Sequence, residues 1–179
     1  MNIVIVNGYP GAGKTTFENL ALKQLNNNGY IISSIDFVKK VARKCGWDGE
    51  KTPENRKFLS DLKKLLTEWN DVPLKQICQE IRIREFEYDV WEIPTDEVVI
   101  FVDVREPIEI EKYKKFMTET YGWKVTTLYI DSKEENTYSN DSDKNVEQYN
   151  YDHYILNDKT GLEALEELVK EFLKKLKKN

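Results

Sequence analysis

A glycine-rich segment between an apolar run and a helical pattern constrains this chain more than any other feature. The run Ile3 to Val6 is continuous and apolar, as is typical of a strand buried on both faces of a parallel sheet. The segment Gly8 to Thr15 then fits the spacing G-x-x-x-x-G-K-[ST], and a helical pattern begins at Lys14. Such glycines let successive backbone N–H groups point inward, and the start of a helix adds a partial positive charge. The segment therefore predicts a site for the phosphates of a nucleoside triphosphate.

The side chains of this loop have distinct expected roles. Lys14 is expected to reach the β- and γ-phosphates, the Thr15 hydroxyl to bind Mg²⁺, and Thr16 to assist at the α-phosphate. A plain turn between strand and helix is the alternative, but a chance match in a chain of this length is on the order of one in a hundred. The predicted nucleotide-binding residues are Gly8, Tyr9, Pro10, Gly11, Ala12, Gly13, Lys14, Thr15 and Thr16.

Short β-rich runs alternate with longer helical patterns along the chain, which favours an α/β fold with helices on both faces of a parallel sheet. Its 179 residues suit one domain. We expect a helical insertion over 36–93, with a core-facing stripe in the helix that Pro53 opens, and a lid-like loop over 131–152. The expected stripe is Phe58, Leu59, Leu62, Leu65 and Leu66.

Composition excludes several classes of function. The formal net charge of −5 argues against a binder of duplex nucleic acid or of an anionic membrane surface. The longest apolar runs are about five residues, whereas a membrane-spanning helix needs about 20. Cys45 and Cys78 are expected to be buried thiols, and the presence of a single histidine, His153, argues against a zinc site. With no signal-peptide pattern, we expect a cytoplasmic protein.

Two charged residues after an apolar run are candidates for the rest of the site. The run Val98 to Val102 ends in Asp103, which is where an acid that holds Mg²⁺ is expected, although a strand-end aspartate can also cap a turn. Strand alternation puts Arg105 on the same side, where a guanidinium can stabilise the charge of a transferring phosphoryl group. An ion pair with Glu106 or Glu109 is the alternative for Arg105.

Asp36 follows the second predicted strand and begins a helix. It suits a helix cap, and it also suits contact with an acceptor or general-base catalysis toward a hydroxyl. The segment 36–68 carries nine basic and six acidic residues, a net charge of +3 in an acidic chain. That balance fits an anionic acceptor, and a solvated helical face explains most of its lysines equally well.

Several blocks together resemble the phage-type deoxynucleoside monophosphate kinases. They are the glycine-rich loop, Asp36-Phe37-Val38-Lys39, Gly46-Trp47-Asp48-Gly49 with Lys51 and Arg56, Asp103-Val104-Arg105-Glu106-Pro107, and Asn157-Asp158-Lys159-Thr160. The resemblance implies the P-loop fold of the adenylate-kinase-like group, with three layers and a five-stranded parallel sheet in the order 2-3-1-4-5. It also implies ATP, Mg²⁺ and transfer of the γ-phosphoryl group to a nucleoside monophosphate. Arg56 and Arg105 would then contact the acceptor or the transferring phosphate, and Asn157 would lie near the adenine.

One segment departs from that family's pattern. Such kinases carry arginines in the lid, whereas residues 131–152 hold seven acids, two lysines (Lys133 and Lys144) and no arginine. Three hypotheses therefore stay open: a nucleoside or deoxynucleoside monophosphate kinase, a kinase of a hydroxyl acceptor with Asp36 as base, and a nucleotide-binding module with weak transfer. Each is compatible with a monomer or a homodimer.

Overall fold

The computed structural model describes residues 1–132 and 146–178. Five parallel strands form one sheet in the order β2-β3-β1-β4-β5, with helices on both faces, which confirms the predicted fold class. The strands are β1 (Asn2–Asn7), β2 (Gly29–Ser33), β3 (Val99–Asp103), β4 (Lys124–Ser132) and β5 (His153–Asn157). The helices are α1 (Lys14–Gln24), α2 (Asp36–Lys44), α3 (Pro53–Asn70), α4 (Val72–Val90), α5 (Pro107–Tyr121) and α6 (Leu162–Lys178).

The central strand β1 divides the core in two, because successive side chains of a strand point to opposite faces. Val4 and Val6 pack with residues of α1 and α6 on one face. Ile3 and Ile5 pack with residues of α4 and α5 on the other. Burial on both faces explains why β1 is an uninterrupted apolar run.

The strand register gathers the ends of the strands at one edge of the sheet. Val6 pairs with Asp103 of β3 on one side and with Leu128 of β4 on the other. The loop that follows β1 and the turn that follows β3 therefore leave the sheet at the same level. Ligands of open parallel sheets bind at this carboxyl edge.

Three helices, α2 to α4, follow one another between β2 and β3. The Thr52 hydroxyl accepts a hydrogen bond from the backbone N–H of Asn55 and caps α3, with Pro53 in its first turn, as the sequence predicts. The expected core stripe of α3 is wrong: none of its residues is buried, and Leu65 is 63% exposed. The reason is position, since α3 packs mainly on α2 and α4 rather than on the sheet.

The two cysteines differ. Cys78 on α4 is buried, as expected, and its burial raises the pKa of the thiol to about 12. Cys45 is exposed, so its expected burial is wrong. It lies at the C-cap of α2, one position beyond the helix, whereas the buried residues Val38 and Ala42 lie within it.

The predicted lid falls largely on residues that are not described. Residues 131 and 132 complete β4, and Val146–Gln148 form a short 3₁₀ turn. Lys133 and Lys144 lie outside the described residues, so the lid stays a prediction. Within 1–132 and 146–178, no helix is long and apolar enough to cross a membrane.

Candidate functional site

Two glycines fix the shape of the loop between β1 and α1. Gly8 has a φ of 147°, and a Cβ atom there would lie 2.1 Å from the Ile130 carbonyl oxygen. Gly13 has a φ of 95°, and its Cβ would lie 2.3 Å from Nδ2 of Asn157. Left-handed backbone and close packing both exclude a side chain. The glycines of the sequence pattern are therefore explained by the geometry of the loop itself.

The side of the loop that a phosphate would approach is open. The first helical hydrogen bond of α1 runs from the Phe17 N–H to the Gly13 carbonyl oxygen at 2.9 Å. The backbone N–H groups before Phe17 therefore have no acceptor within the helix. Thr15 and Thr16 in that turn are exposed. Lys14 folds over the loop, and its Nζ donates to the carbonyl oxygens of Gly8 at 2.7 Å and Tyr9 at 3.0 Å. A bound phosphate would offer the same ammonium a charged acceptor in place of carbonyls.

Asp103 lies at the end of β3, as predicted, and faces this loop. Its Oδ1 atom is buried and has no hydrogen-bond partner among the described residues. Burial raises the pKa of Asp103, while the charges of Lys14 and Arg105 counteract that rise. Lys14 and Arg105 are therefore close enough to Asp103 to influence its ionisation. A buried carboxylate oxygen without a hydrogen-bond partner among the described residues is the kind of ligand that Mg²⁺ prefers.

Glu18, on the second turn of α1, is a site residue that the sequence analysis missed. Its side chain is fully buried, and neither carboxyl oxygen has a geometrically good hydrogen bond within the described part of the chain. Burial, with the neighbouring Asp103 carboxyl as the next cause, raises the pKa of Glu18 to about 8. The available signal was its position among Phe17, Leu20 and Ala21, the buried residues of the helix. An acid within such a face is rarely a solvated one.

Arg105 is exposed at the turn after β3. Both glutamates considered as its surface partners lie close to Lys63, whose Nζ is 2.5 Å from Glu109 and 3.6 Å from Glu106. Arg105 follows β3 at the carboxyl edge of the sheet, within electrostatic reach of Asp103. This position suits a cation that contacts a transferring phosphoryl group.

Asp36 is the first residue of α2. One carboxylate oxygen accepts the backbone N–H of Ser33 at 2.9 Å, and the other lies 3.6 Å from Lys39 Nζ. The side chain therefore fixes the turn from β2 into α2. The capping role considered for it is wrong, because Ile35 occupies the cap position, which has no side-chain hydrogen bond, and Asp36 bonds a residue that precedes the helix. These contacts compete with a role as general base, because both oxygens already have partners.

Arg56 lies in the first turn of α3 and is exposed. Its Nε donates to the Lys51 carbonyl oxygen at 3.2 Å. No hydrogen bond or ion pair joins it to the glycine-rich loop within 1–132 and 146–178. Its contact with an acceptor stays a prediction.

Asn157 is the last residue of β5, and its side chain contacts the glycine-rich loop. Its Nδ2 donates to the Ala12 carbonyl oxygen at 3.0 Å, and its Oδ1 accepts from the Lys159 backbone N–H at 3.3 Å. The side chain is buried. Asn157 thus links the loop to the turn before α6, and a contact with adenine is left as a prediction for that turn.

Comparisons with known proteins give little beyond this geometry. No protein-family model matches the chain, and no curated protein matches it. Among solved structures, a mutant of the APS kinase CysC of Mycobacterium tuberculosis is similar with a TM-score of 0.47 and 13% sequence identity. The similarity covers 97% of this chain and 96% of that one. The fold and site described here rest on the strand order and loop geometry of this chain alone.

Proposed function

We propose that this protein transfers the γ-phosphoryl group of ATP, with Mg²⁺, to a nucleoside or deoxynucleoside monophosphate. The observation that carries the proposal is the strand register, which brings the loop after β1, leading to Lys14, and the turn after β3, carrying Asp103 and Arg105, to the same edge of the sheet. A loop shaped for phosphates, an acid with an unpartnered buried oxygen and an exposed guanidinium are the parts that phosphoryl transfer requires.

Each part has a specific task in this scheme. The N–H groups of the first turn of α1 and the Lys14 ammonium would bind the β- and γ-phosphates. Thr15 and Asp103 would hold Mg²⁺, which would neutralise phosphate charge when bound. Arg105 would stabilise the charge that spreads over the transferring phosphoryl group. Catalysis of this kind is positioning and charge stabilisation, without a covalent intermediate on the protein.

A phosphate acceptor agrees better with Asp36 than a hydroxyl acceptor does. Both oxygens of Asp36 are held, by Ser33 N–H and by Lys39, so this carboxylate is poorly placed to remove a proton. A monophosphate is ionised at neutral pH and needs no general base. The helices α2 and α3, with net positive charge over 36–68 and Arg56 exposed in the first turn of α3, would then receive the acceptor.

The test is ADP release from ATP and Mg²⁺ with a panel of ribo- and deoxyribonucleoside monophosphates. We expect one or two monophosphates to give turnover that Lys14→Ala lowers at least 100-fold. Lys23→Ala is the matched control, because Lys23 is exposed in the last turn of the same helix. ATP binding without turnover on any monophosphate would contradict the proposal and favour a binding module.

A hydroxyl acceptor remains distinguishable in the same assay. Asp36→Asn should collapse turnover if Asp36 is a base, with little effect on ATP binding. Under our proposal the same change mainly weakens binding of the acceptor, so it raises KM for the monophosphate more than it lowers kcat.

A further inference from the structure

We propose that Asn7 is a positioning residue that holds the Arg105 turn against the entry of the phosphate-binding loop. The inference rests on the proposed phosphoryl transfer, because it assigns Asn7 a role in placing two parts of that site. Asn7 itself lies too deep to touch a ligand, being only 1% exposed at the end of β1.

The Asn7 amide is bonded on both its oxygen and its nitrogen. Its Oδ1 accepts the backbone N–H of Gly8 at 2.7 Å. Its Nδ2 donates to the Arg105 carbonyl oxygen at 2.9 Å and to the Tyr151 hydroxyl at 3.0 Å. A primary amide has two N–H donors, so both are used. One side chain therefore joins the start of the loop, the backbone of Arg105 and the segment that follows the undescribed residues.

These bonds extend the sheet beyond its last backbone pair. The ladder between β1 and β3 ends where Val104 N donates to Val6 O at 3.2 Å. Past that point the chain from β1 turns into the loop and the chain from β3 turns toward Arg105. The Asn7 side chain replaces the missing backbone bond between the two segments.

The direction of each bond requires an amide. The Tyr151 hydroxyl donates its own proton to the Val146 carbonyl oxygen at 2.7 Å, so toward Asn7 it is an acceptor. Aspartate has nearly the same shape and keeps an acceptor for Gly8 N–H. It would, however, place an oxygen against the carbonyl of Arg105 and against a hydroxyl that is already donating. Asn7→Asp therefore tests the donor role with little change in volume.

Loss of this bond should affect chemistry more than nucleotide binding. The loop keeps its glycines, Lys14 and the support of Asn157, whereas the Arg105 turn loses its tie to the loop. Small displacements of a group that acts on the transition state lower the rate strongly. We expect Asn7→Asp to lower kcat at least 10-fold and to change the Kd of a non-hydrolysable ATP analogue less than threefold.

Asn2→Asp is the matched control for a purely structural effect. Asn2 lies at the other end of β1, is also buried, and also donates from Nδ2 to a backbone carbonyl, that of Asp96 at 3.2 Å. Both variants should lower the Tm, because each places a carboxylate oxygen against a backbone carbonyl oxygen that the amide had bonded. Only Asn7→Asp should lower kcat by more than threefold. Equal losses of kcat in both variants would overturn the inference.

A double-mutant cycle with Arg105→Ala shows whether Asn7 acts through Arg105. If it does, Asn7→Asp should lower kcat less than twofold once the guanidinium is gone. An undiminished 10-fold loss in the Arg105→Ala background would overturn the inference.

The wild-type rate separates the two proposals, because absence of transfer to every monophosphate contradicts the proposed function alone. Hydrogen exchange then decides the Asn7 contact, since Asn7→Asp should speed exchange over 103–107, and unchanged exchange would refute it.

Discussion

At the scale of single residues, the site combines groups that a motif reveals with one that it does not. Lys14 at the start of α1 and Asp103 at the end of β3 lie where the sequence pattern predicts them, while their roles and that of Thr15 toward phosphate and metal stay predictions. Glu18 falls among the buried residues of α1, but that position alone does not say which group its carboxyl meets. Its meeting with Asp103 depends on how α1 packs over β3, which is a property of the fold. Two adjoining buried carboxyl groups resist ionising together.

The pH dependence of stability should reveal the buried Glu18 carboxyl. Its pKa in the fold is about 8, against 4.5 ordinarily, so the folded state keeps a proton that the unfolded chain has lost. The contribution of this carboxyl to the free energy of unfolding is therefore fully present below about pH 4.5 and is lost as the pH rises through about 8. We expect the free energy of unfolding to fall with pH by up to about 1.4 kcal/mol per unit in this window. Urea unfolding from pH 5 to pH 8 measures the slope.

Glu18→Gln should flatten that slope, because glutamine has the shape of the protonated acid and does not titrate. Glu171→Gln is the control, since Glu171 is exposed on α6 and should leave the slope unchanged. A wild-type protein whose stability does not change between pH 5 and pH 8 would contradict this account of Glu18. Equal pH slopes in Glu18→Gln and Glu171→Gln would contradict it as well.

At the scale of elements, α3 shows how a helix can be predicted correctly in its bounds and wrongly in its packing. The Thr52 cap and Pro53 start it as local rules require. Its apolar residues indicated a core face, but no sheet lies beneath them, because α2 and α4 are its main neighbours. Periodicity gives the face of a helix and not what covers it. The strands were more predictable, since a short uninterrupted apolar run fits a central parallel strand.

A buried ion pair ties α3 to the helix that follows Arg105. The Lys63 side chain is 12% exposed and that of Glu109 8% exposed, with 2.5 Å between Nζ and Oε2. Lys63→Met would leave Glu109 buried without its cation, and we expect a loss of about 3–5 kcal/mol in the free energy of unfolding. Urea unfolding at neutral pH measures it.

Lys64→Met is the matched control on the next residue. Lys64 is 73% exposed and lies 3.8 Å from Glu68, so its loss should cost below about 0.5 kcal/mol. Adding Glu109→Gln to Lys63→Met should recover part of the lost free energy of unfolding, because the buried carboxylate that has no cation is then replaced by a neutral amide. Equal stability of the two lysine variants would show that the Lys63 pair does not anchor α3.

At the scale of the whole molecule, the strand order explains why residues far apart in sequence form one site. β1 lies between β3 and β4, so the loop after β1 meets the turn after β3, and Asn157 reaches Ala12 from the end of β5. The alternation of strands and helices predicted this class of fold, and the family resemblance supplied the order. Neither could predict the Asn7 contacts, because these depend on how far the segments after β1 and β3 continue past the sheet before they turn.

Under the proposed function, nucleotide and Mg²⁺ would bind at this edge, where the loop after β1 and the turn after β3 meet, so ligand binding should stabilise the entire domain. A non-hydrolysable ATP analogue with Mg²⁺, at 100 times its Kd, should add about 2.7 kcal/mol to the free energy of unfolding. For a domain of this size that raises the Tm by about 5–10 °C. A thermal melt measures the shift, which should shrink when EDTA removes Mg²⁺, vanish in Lys14→Ala and persist in Lys23→Ala. A shift of the same size with and without Mg²⁺ would contradict the metal-binding role of Thr15 and Asp103. No shift in the wild-type protein would contradict nucleotide binding itself.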